Sequence, residues 1–133
     1  MKTQIKNILT FDSIYNKIKE ASEKTSISVK TLYKINKLAK VIEEEKDFFQ
    51  TEMEKIINTY GERDDKNQLV ILEGGKSIKI DENRLQECQN KVNELYVLEV
   101  ELPDITFKLD EFDGCGLTLE DINIISLFIE DDE

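Results

Sequence analysis

Histidine and tryptophan are absent from the 133-residue sequence, which holds one proline, five glycines and two cysteines. Without histidine the chain lacks the usual general base at neutral pH, the commonest metal ligand and the base of the familiar serine or cysteine nucleophile pairs. Carboxylate pairs remain as candidate acid and base, but the acids stand in charged runs where nothing desolvates one of them to raise its pKa. The expectation is a protein that is not an enzyme and uses no cofactor. Apolar runs are also short: the longest are of the kind Leu69-Val70-Ile71-Leu72, far below the span a bilayer needs. The start, Met1-Lys2-Thr3-Gln4-Ile5-Lys6, lacks the apolar stretch of a secretory signal, which points to a reducing cytoplasm and to free thiols at Cys88 and Cys115. Two cysteines without histidine cannot build a tetrahedral zinc site.

What is present is charge. Charged residues make up 35% and apolar residues 39% of the chain, with a net charge of -11. This composition suits one thin-cored domain over 1–133 rather than a disordered chain. The charge is unevenly spread: residues 1–41 carry nine lysines against three acids, whereas residues 99–133 carry Lys108 against twelve acids. Phosphates would be repelled by the C-terminal part, so nucleic acid is a poor partner there.

The apolar spacing divides the chain into elements. Ile14, Ile18 and Ala21 recur at helical spacing after Asp12 and Ser13, either of which can cap a short helix over 13–24. The strongest pattern follows: Ile35, Ile42, Phe49 and Ile56 fall seven apart, with Ala39, Lys46, Met53 and Tyr60 four residues after each. That is a coiled-coil-like seam with Lys46 as its charged interruption. Ser28 can cap its start and Gly61 can supply a left-handed stop, giving one helix over 28–60, about 50 Å long at ~1.5 Å per residue. Next, β-branched runs at 68–72 and 77–80 flank Gly74-Gly75 and predict a β-hairpin. Asp81 caps a second helix over 82–96 with Leu85, Cys88, Val92 and Leu95 on one face, the natural antiparallel cover for the long one. Alternation in Leu98-Glu99-Val100-Glu101-Leu102 and again over 105–109 predicts two strands either side of Pro103. Thr118-Leu119-Glu120-Asp121 reads as a capping box that opens a last helix through Ile122, Ile125 and Ile129 before the acidic tail.

The predicted fold is therefore α+β: a long antiparallel helical hairpin over 1–97 with a β-hairpin near 68–80 at its tip, and an acidic β-plus-helix subregion over 98–133. Its seam is formed by Ile35, Ile42, Phe49, Met53 and Ile56. The outer apolar positions Phe48, Ile57, Ile124, Leu127 and Phe128 exceed what one partner helix covers, so they are the expected partner-binding anchors.

Three motifs invite chemistry and fall short of it. Gly74-Gly75-Lys76-Ser77 ends like a phosphate loop, but the earlier glycine that such a loop needs is Val70. Asp110-Glu111-Phe112-Asp113-Gly114-Cys115-Gly116 leading to Glu120 resembles a calcium loop, but the first ligand would be Leu109 and the apolar eighth position would be Gly116. No metal is expected at either. Lys30, Lys34 and Lys37 share a helix face and could touch phosphate, though a solvated face is the simpler account.

The order of elements resembles an uncharacterised family of small tailed-phage proteins encoded among virion and morphogenesis genes. The likeness rests on the long Lys/Glu helix ending Ile56-Ile57-Asn58-Thr59-Tyr60-Gly61-Glu62, the hairpin-and-helix return, the Leu98-to-Leu102 strand, and the closing Leu117-Thr118-Leu119-Glu120-Asp121 helix with Phe128-Ile129-Glu130. It covers most of the chain and brings no catalytic residues with it. The resemblance implies a structural or assembly accessory protein of the virion or the host cytoplasm, bound to a phage virion protein or to itself. The alternative is an acidic inhibitor whose C-terminal carboxylates stand in for phosphates in the groove of a host nucleic-acid-binding or defence protein.

Overall fold

The computed structural model describes residues 2–24, 26–72, 74–75 and 77–130; the Asp131-Asp132-Glu133 tail and Lys76 lie outside them. It is a mostly helical α+β structure with a small two-stranded antiparallel sheet. The elements are β1 (Lys2–Gln4), α1 (Ile5–Lys24), α2 (Val29–Tyr60), α3 (Leu85–Tyr96), β2 (Glu99–Glu101) and α4 (Leu119–Ile125). The chain groups into two compact units: Met1–Lys46 together with Glu99–Glu133, and the contiguous Asp47–Leu98. Helix α2 runs from the first into the second.

In the first unit, α1 begins eight residues earlier than the expected position 13. Ile5, Ile8, Phe11, Ile14 and Ile18 are all buried and form one continuous stripe at three- and four-residue spacing, so the helix extends upstream for as long as burial rewards it. Asp12 and Ser13 are therefore interior residues and not caps. The Ser13 hydroxyl donates back to the Thr10 carbonyl at 3.0 Å, and Asp12 accepts from Lys46 of α2 at 3.0 Å. That ion pair accounts for the charged residue in the seam.

The start of α2 is as expected. Ser28 Oγ accepts the Thr31 amide at 3.2 Å, and the Ser28 carbonyl accepts the Leu32 amide at 3.0 Å. Ile35, Leu38 and Ile42 then enter the core of the first unit. There they face Phe11, Ile14 and Ile18 across an apolar void of ≈ 40 Å³.

The C-terminal part closes this core differently from the two-strand expectation. β2 pairs antiparallel with β1, Thr3 opposite Val100, and not with the segment around 107. Phe107 instead forms a parallel bridge with Ile129, its amide donating to the Phe128 carbonyl at 2.7 Å and its carbonyl accepting from Glu130 at 2.9 Å. Alternation predicts that a segment is extended, but it does not predict which segment it pairs with. The last helix also stops short of Ile129: α4 ends at Ile125 and one 3₁₀ turn, Ser126–Phe128, carries the chain into extended Ile129. Its capping box is in place, with Thr118 Oγ1 accepting the Asp121 amide at 3.1 Å and Asp121 accepting the Thr118 amide at 3.0 Å.

In the second unit, α2 continues to Tyr60 and α3 returns beside it. The Phe49 ring lies 5.3 Å from Tyr96, and the Arg84 guanidinium sits 4.4 Å from the Tyr60 ring centre, so the two helices run antiparallel. Between them the chain makes isolated antiparallel bridges, Gly61 with Ile80, Arg63 with Leu69 and Ile71 with Ile78. Gly74 and Gly75 turn the last of these with positive φ. Gly61 does not adopt a left-handed conformation. Its lack of a side chain matters sterically: a Cβ there would lie 2.5 Å from Leu69 Cδ2 and 2.6 Å from the Ile57 carbonyl oxygen. The seam is thus covered in two stretches, Ile35 and Ile42 by α1 and the C-terminal segment, and Phe49 by α3.

Candidate protein-interaction surface

The antiparallel stretch of α2 and α3 leaves an open apolar groove in the second unit. Phe48 and Ile56 on one side and Leu95 and Leu98 on the other form its floor. Phe48 is 42% and Leu98 45% exposed, while Leu95 is buried. Full cover of the helix pair would hide Phe48 and Leu98, which stand exposed beside half-buried Ile56. The groove continues toward Thr59 and Tyr60, with Glu52, Ile56 and Lys91 shared between its two stretches.

The polar rim is ordered along the groove. Near Phe48 and Leu98 stand Glu52 and Glu94; one turn further toward Tyr60 stand Lys55 and Lys91. Each acid pairs with the base on its own helix, Lys55 with Glu52 at 2.9 Å and Lys91 with Glu94 at 3.7 Å. Both lysines are more than half exposed. Pairs of this kind contribute little and exchange partners readily.

The first unit draws part of its charge inward. Thr31, 1% exposed, donates to Glu111 Oε1 at 2.7 Å, the Lys108 amide donates to Glu111 Oε2 at 2.6 Å, and Lys34 lies 3.4 Å away. Burial alone would push this carboxyl up, but the donors from Thr31 and Lys108 and the Lys34 charge together hold it below the ordinary range. Lys17 donates to Asp121 at 2.6 Å; that bond first, then the Thr118 amide, likewise lowers the Asp121 carboxyl. Lys34 also donates to the Thr106 carbonyl at 2.8 Å, so of the three lysines on its face it is held internally. Cys88 and Cys115 are free and buried. Burial, with Asp113 adding, pushes the Cys115 thiol up, which makes it a poor nucleophile. Among the described residues no cluster of three or more Cys, Asp or Glu side chains is arranged to hold a metal ion, and no helix is long and apolar enough to cross a membrane.

The five anchor residues expected from sequence separate. Phe48 lines the groove; Ile57, also in the second unit, is half-buried and lines neither stretch of it. Ile124 is half-buried and Leu127 is 37% exposed, both in the first unit. Phe128 is no surface anchor: it is 3% exposed, with its ring edge-on to Phe11 at 5.3 Å. The 3₁₀ turn after α4 rotates it inward and turns Leu127 out. Of the seam, Ile35 and Ile42 are core, whereas Phe49, Met53 and Ile56 are half-buried. Sequence reasoning placed Leu95 on the covered face of α3 and Leu98 in a strand, and so missed the groove. The available signal was helical spacing, since Lys91, Glu94, Leu95 and Leu98 recur at three and four residues. Exposed Val29, Leu32 and Tyr33 at the start of α2, and Leu119 at the start of α4, were also unforeseen.

No protein-family model, curated protein or solved structure matches the chain.

Proposed function

We propose that this is a non-enzymatic, phage-encoded structural or assembly accessory protein that binds another protein. It does so through the helical hairpin of α2 and α3 and through its C-terminal region, in the virion or the host cytoplasm. The observation that carries the reading is the groove floored by Phe48, Ile56, Leu95 and Leu98, with two large apolar side chains left in water. Exposed Leu119 and Leu127 support a second contact in the C-terminal region, and the order of elements supports the phage assignment. The antiparallel pairing within Asp47–Leu98 supports the use of this segment as an arm.

The acidic-inhibitor alternative has less support. Two of the carboxylates it relies on, Glu111 and Asp121, are paired with Lys34 and Lys17 inside the first unit.

Mass spectrometry of virions and assembly intermediates, from phage carrying the wild-type chain or Phe48→Glu, tests the reading. The wild-type chain is expected to co-purify and the variant to be depleted while still folded by circular dichroism. Equal recovery of both, or absence of both, refutes it. A partner that is instead a nucleic-acid-binding protein, released steeply as salt rises, would favour the inhibitor.

A further inference from the structure

We infer that the acidic stretch 105–130 is a strap held on α1 and α2 by lysines of those helices, and that acid lifts it off the first unit while Asp47–Leu98 stays folded. The inference goes beyond the proposed binding role and does not rest on it. It starts from the uneven charge: residues 1–41 carry nine lysines against three acids, and residues 99–133 carry Lys108 against twelve acids. Both stretches belong to the first unit. The charge of the strap and that of the helices under it are therefore opposite in sign and act within one body.

Two carboxylates hold the strap, one on each helix. Three donors converge on Glu111 of the 3₁₀ turn Leu109–Phe112: Thr31 Oγ1 at 2.7 Å, the Lys108 amide at 2.6 Å and Lys34 Nζ at 3.4 Å. Asp110 and Asp113 flank it and line, with Ser28, the hollow at the start of α2, so the positive charge at this contact comes from Lys34. Asp121 accepts from Lys17 of α1 at 2.6 Å and from the Thr118 amide at 3.0 Å. Glu120 precedes it in the chain, and Glu20, Lys24 and the Cys115 thiol line the hollow that Lys17 borders. In both clusters the acid belongs to the strap and the base to the helix. Protonation therefore discharges the strap side of each pair, leaves the lysines charged, and sets a new O–H among groups that themselves donate. Both carboxyls keep their charge below the ordinary range, so their contribution is complete at neutral pH and is lost as pH falls through the folded values. What acid leaves in place is the Lys34 bond to the Thr106 carbonyl and the packing of Phe107, Phe112, Ile125 and Phe128 across the void of ≈ 40 Å³. The Asp12 pair with Lys46 joins α1 to α2 and not to the strap. In the second unit, Glu52, Glu62, Glu87 and Glu94 pair with bases at positions about a third exposed or more, so their discharge changes little.

The test is amide exchange read by mass spectrometry on the full chain at about pH 7 and about pH 3, with rates corrected for intrinsic exchange. In the wild type, protection over 105–130 and along α1 is expected to fall roughly ten-fold or more in acid, while Asp47–Leu98 keeps most of its own. Lys17→Gln and Lys34→Met each take away one helix-side charge. Each should lower protection of the strap at neutral pH and shrink the further loss in acid. Lys34 also donates to the Thr106 carbonyl, so if Lys34→Met loses its fold by circular dichroism, Lys17→Gln, which keeps a side-chain donor, decides alone. Equal loss of protection in both units, an unchanged first unit in acid, or an acid loss in the folded variants equal to that of the wild type overturns the inference.

Discussion

Residues 127 and 128 are neighbours in sequence and should behave as opposites on truncation. Phe128 is 3% exposed and packs edge-on against Phe11, so Phe128→Ala removes a buried ring and leaves a hole next to the existing void of ≈ 40 Å³. Loss of a buried phenylalanine costs about 3–5 kcal/mol, and the edge-on pair lies within that figure at about 0.5–1.5 kcal/mol. Against a total stability of about 5–15 kcal/mol for a small domain, this is a large fraction for the first unit. Leu127 is 37% exposed, so Leu127→Ala should stay below about 1 kcal/mol. Urea titration by circular dichroism, with amide exchange along α1 to isolate the first unit, measures both. At about 1–3 kcal/mol per molar urea, Phe128→Ala should lower the midpoint by about 2 M and Leu127→Ala should barely move it. A midpoint for Phe128→Ala within 0.5 M of wild type, roughly 1 kcal/mol by the same slope, would show that the ring is not core and would return it to the surface anchors.

Three further outcomes follow from the geometry. Gly61→Ala sets a Cβ 2.5 Å from Leu69 Cδ2 and 2.6 Å from the Ile57 carbonyl oxygen and should cost about 3 kcal/mol or more by overpacking, lowering the melting temperature of the second unit. Gly74→Ala, at φ +95° with open space around it, should cost only the backbone conformation, about 1–2 kcal/mol, and equal or reversed effects would refute the steric account. Thr31→Val deletes a buried hydroxyl that donates to Glu111 at 2.7 Å and should lower stability by about 1–3 kcal/mol, whereas Thr31→Ser should retain most of it in the same urea titration. Glu111 and Asp121 both have lowered pKa values in the folded state. Their contribution is therefore present above the unfolded carboxylate value, about 4, and is lost as pH falls through the lower folded values. Stability measured from pH 7 downward should stay flat to about pH 5 and then decline, with a shallower decline in Asp121→Asn; an unchanged slope in that variant would contradict the Lys17 ion pair.

The parts of the fold that could be read from sequence are those decided by neighbouring residues. Ser28 caps α2, the seven-residue spacing sets its length, and Thr118 with Asp121 closes a capping box, because each signal lies within a turn or two of the element it governs. What escaped depends on distant partners. Asp12 and Ser13 look like a helix start until Lys46 and the upstream stripe of Ile5, Ile8 and Phe11 are considered. Val100 alternates correctly, but its partner Thr3 lies at the other end of the chain. Phe128 belongs to a helical pattern that the 3₁₀ turn interrupts, and one residue of rotation exchanges it with Leu127. The groove was half visible for the same reason: Phe48 stood out as surplus, whereas Leu98 was absorbed into the alternating strand that begins beside it.

The pairing of β1 with β2 has a consequence for synthesis on the ribosome. Thr3 is made close to a hundred residues before Val100, with Phe107 and Phe128 after that. At translation rates of about 5–20 residues per second, the greasy stripe of α1 waits on the order of ten seconds before its strand partner and the two phenylalanine rings that seal it emerge. The contiguous stretch Asp47–Leu98, a compact unit of its own, is complete in sequence before Val100 is made. The contiguous unit therefore has all its residues before the discontinuous one, whose α1 stripe stays open until the later strand and rings arrive.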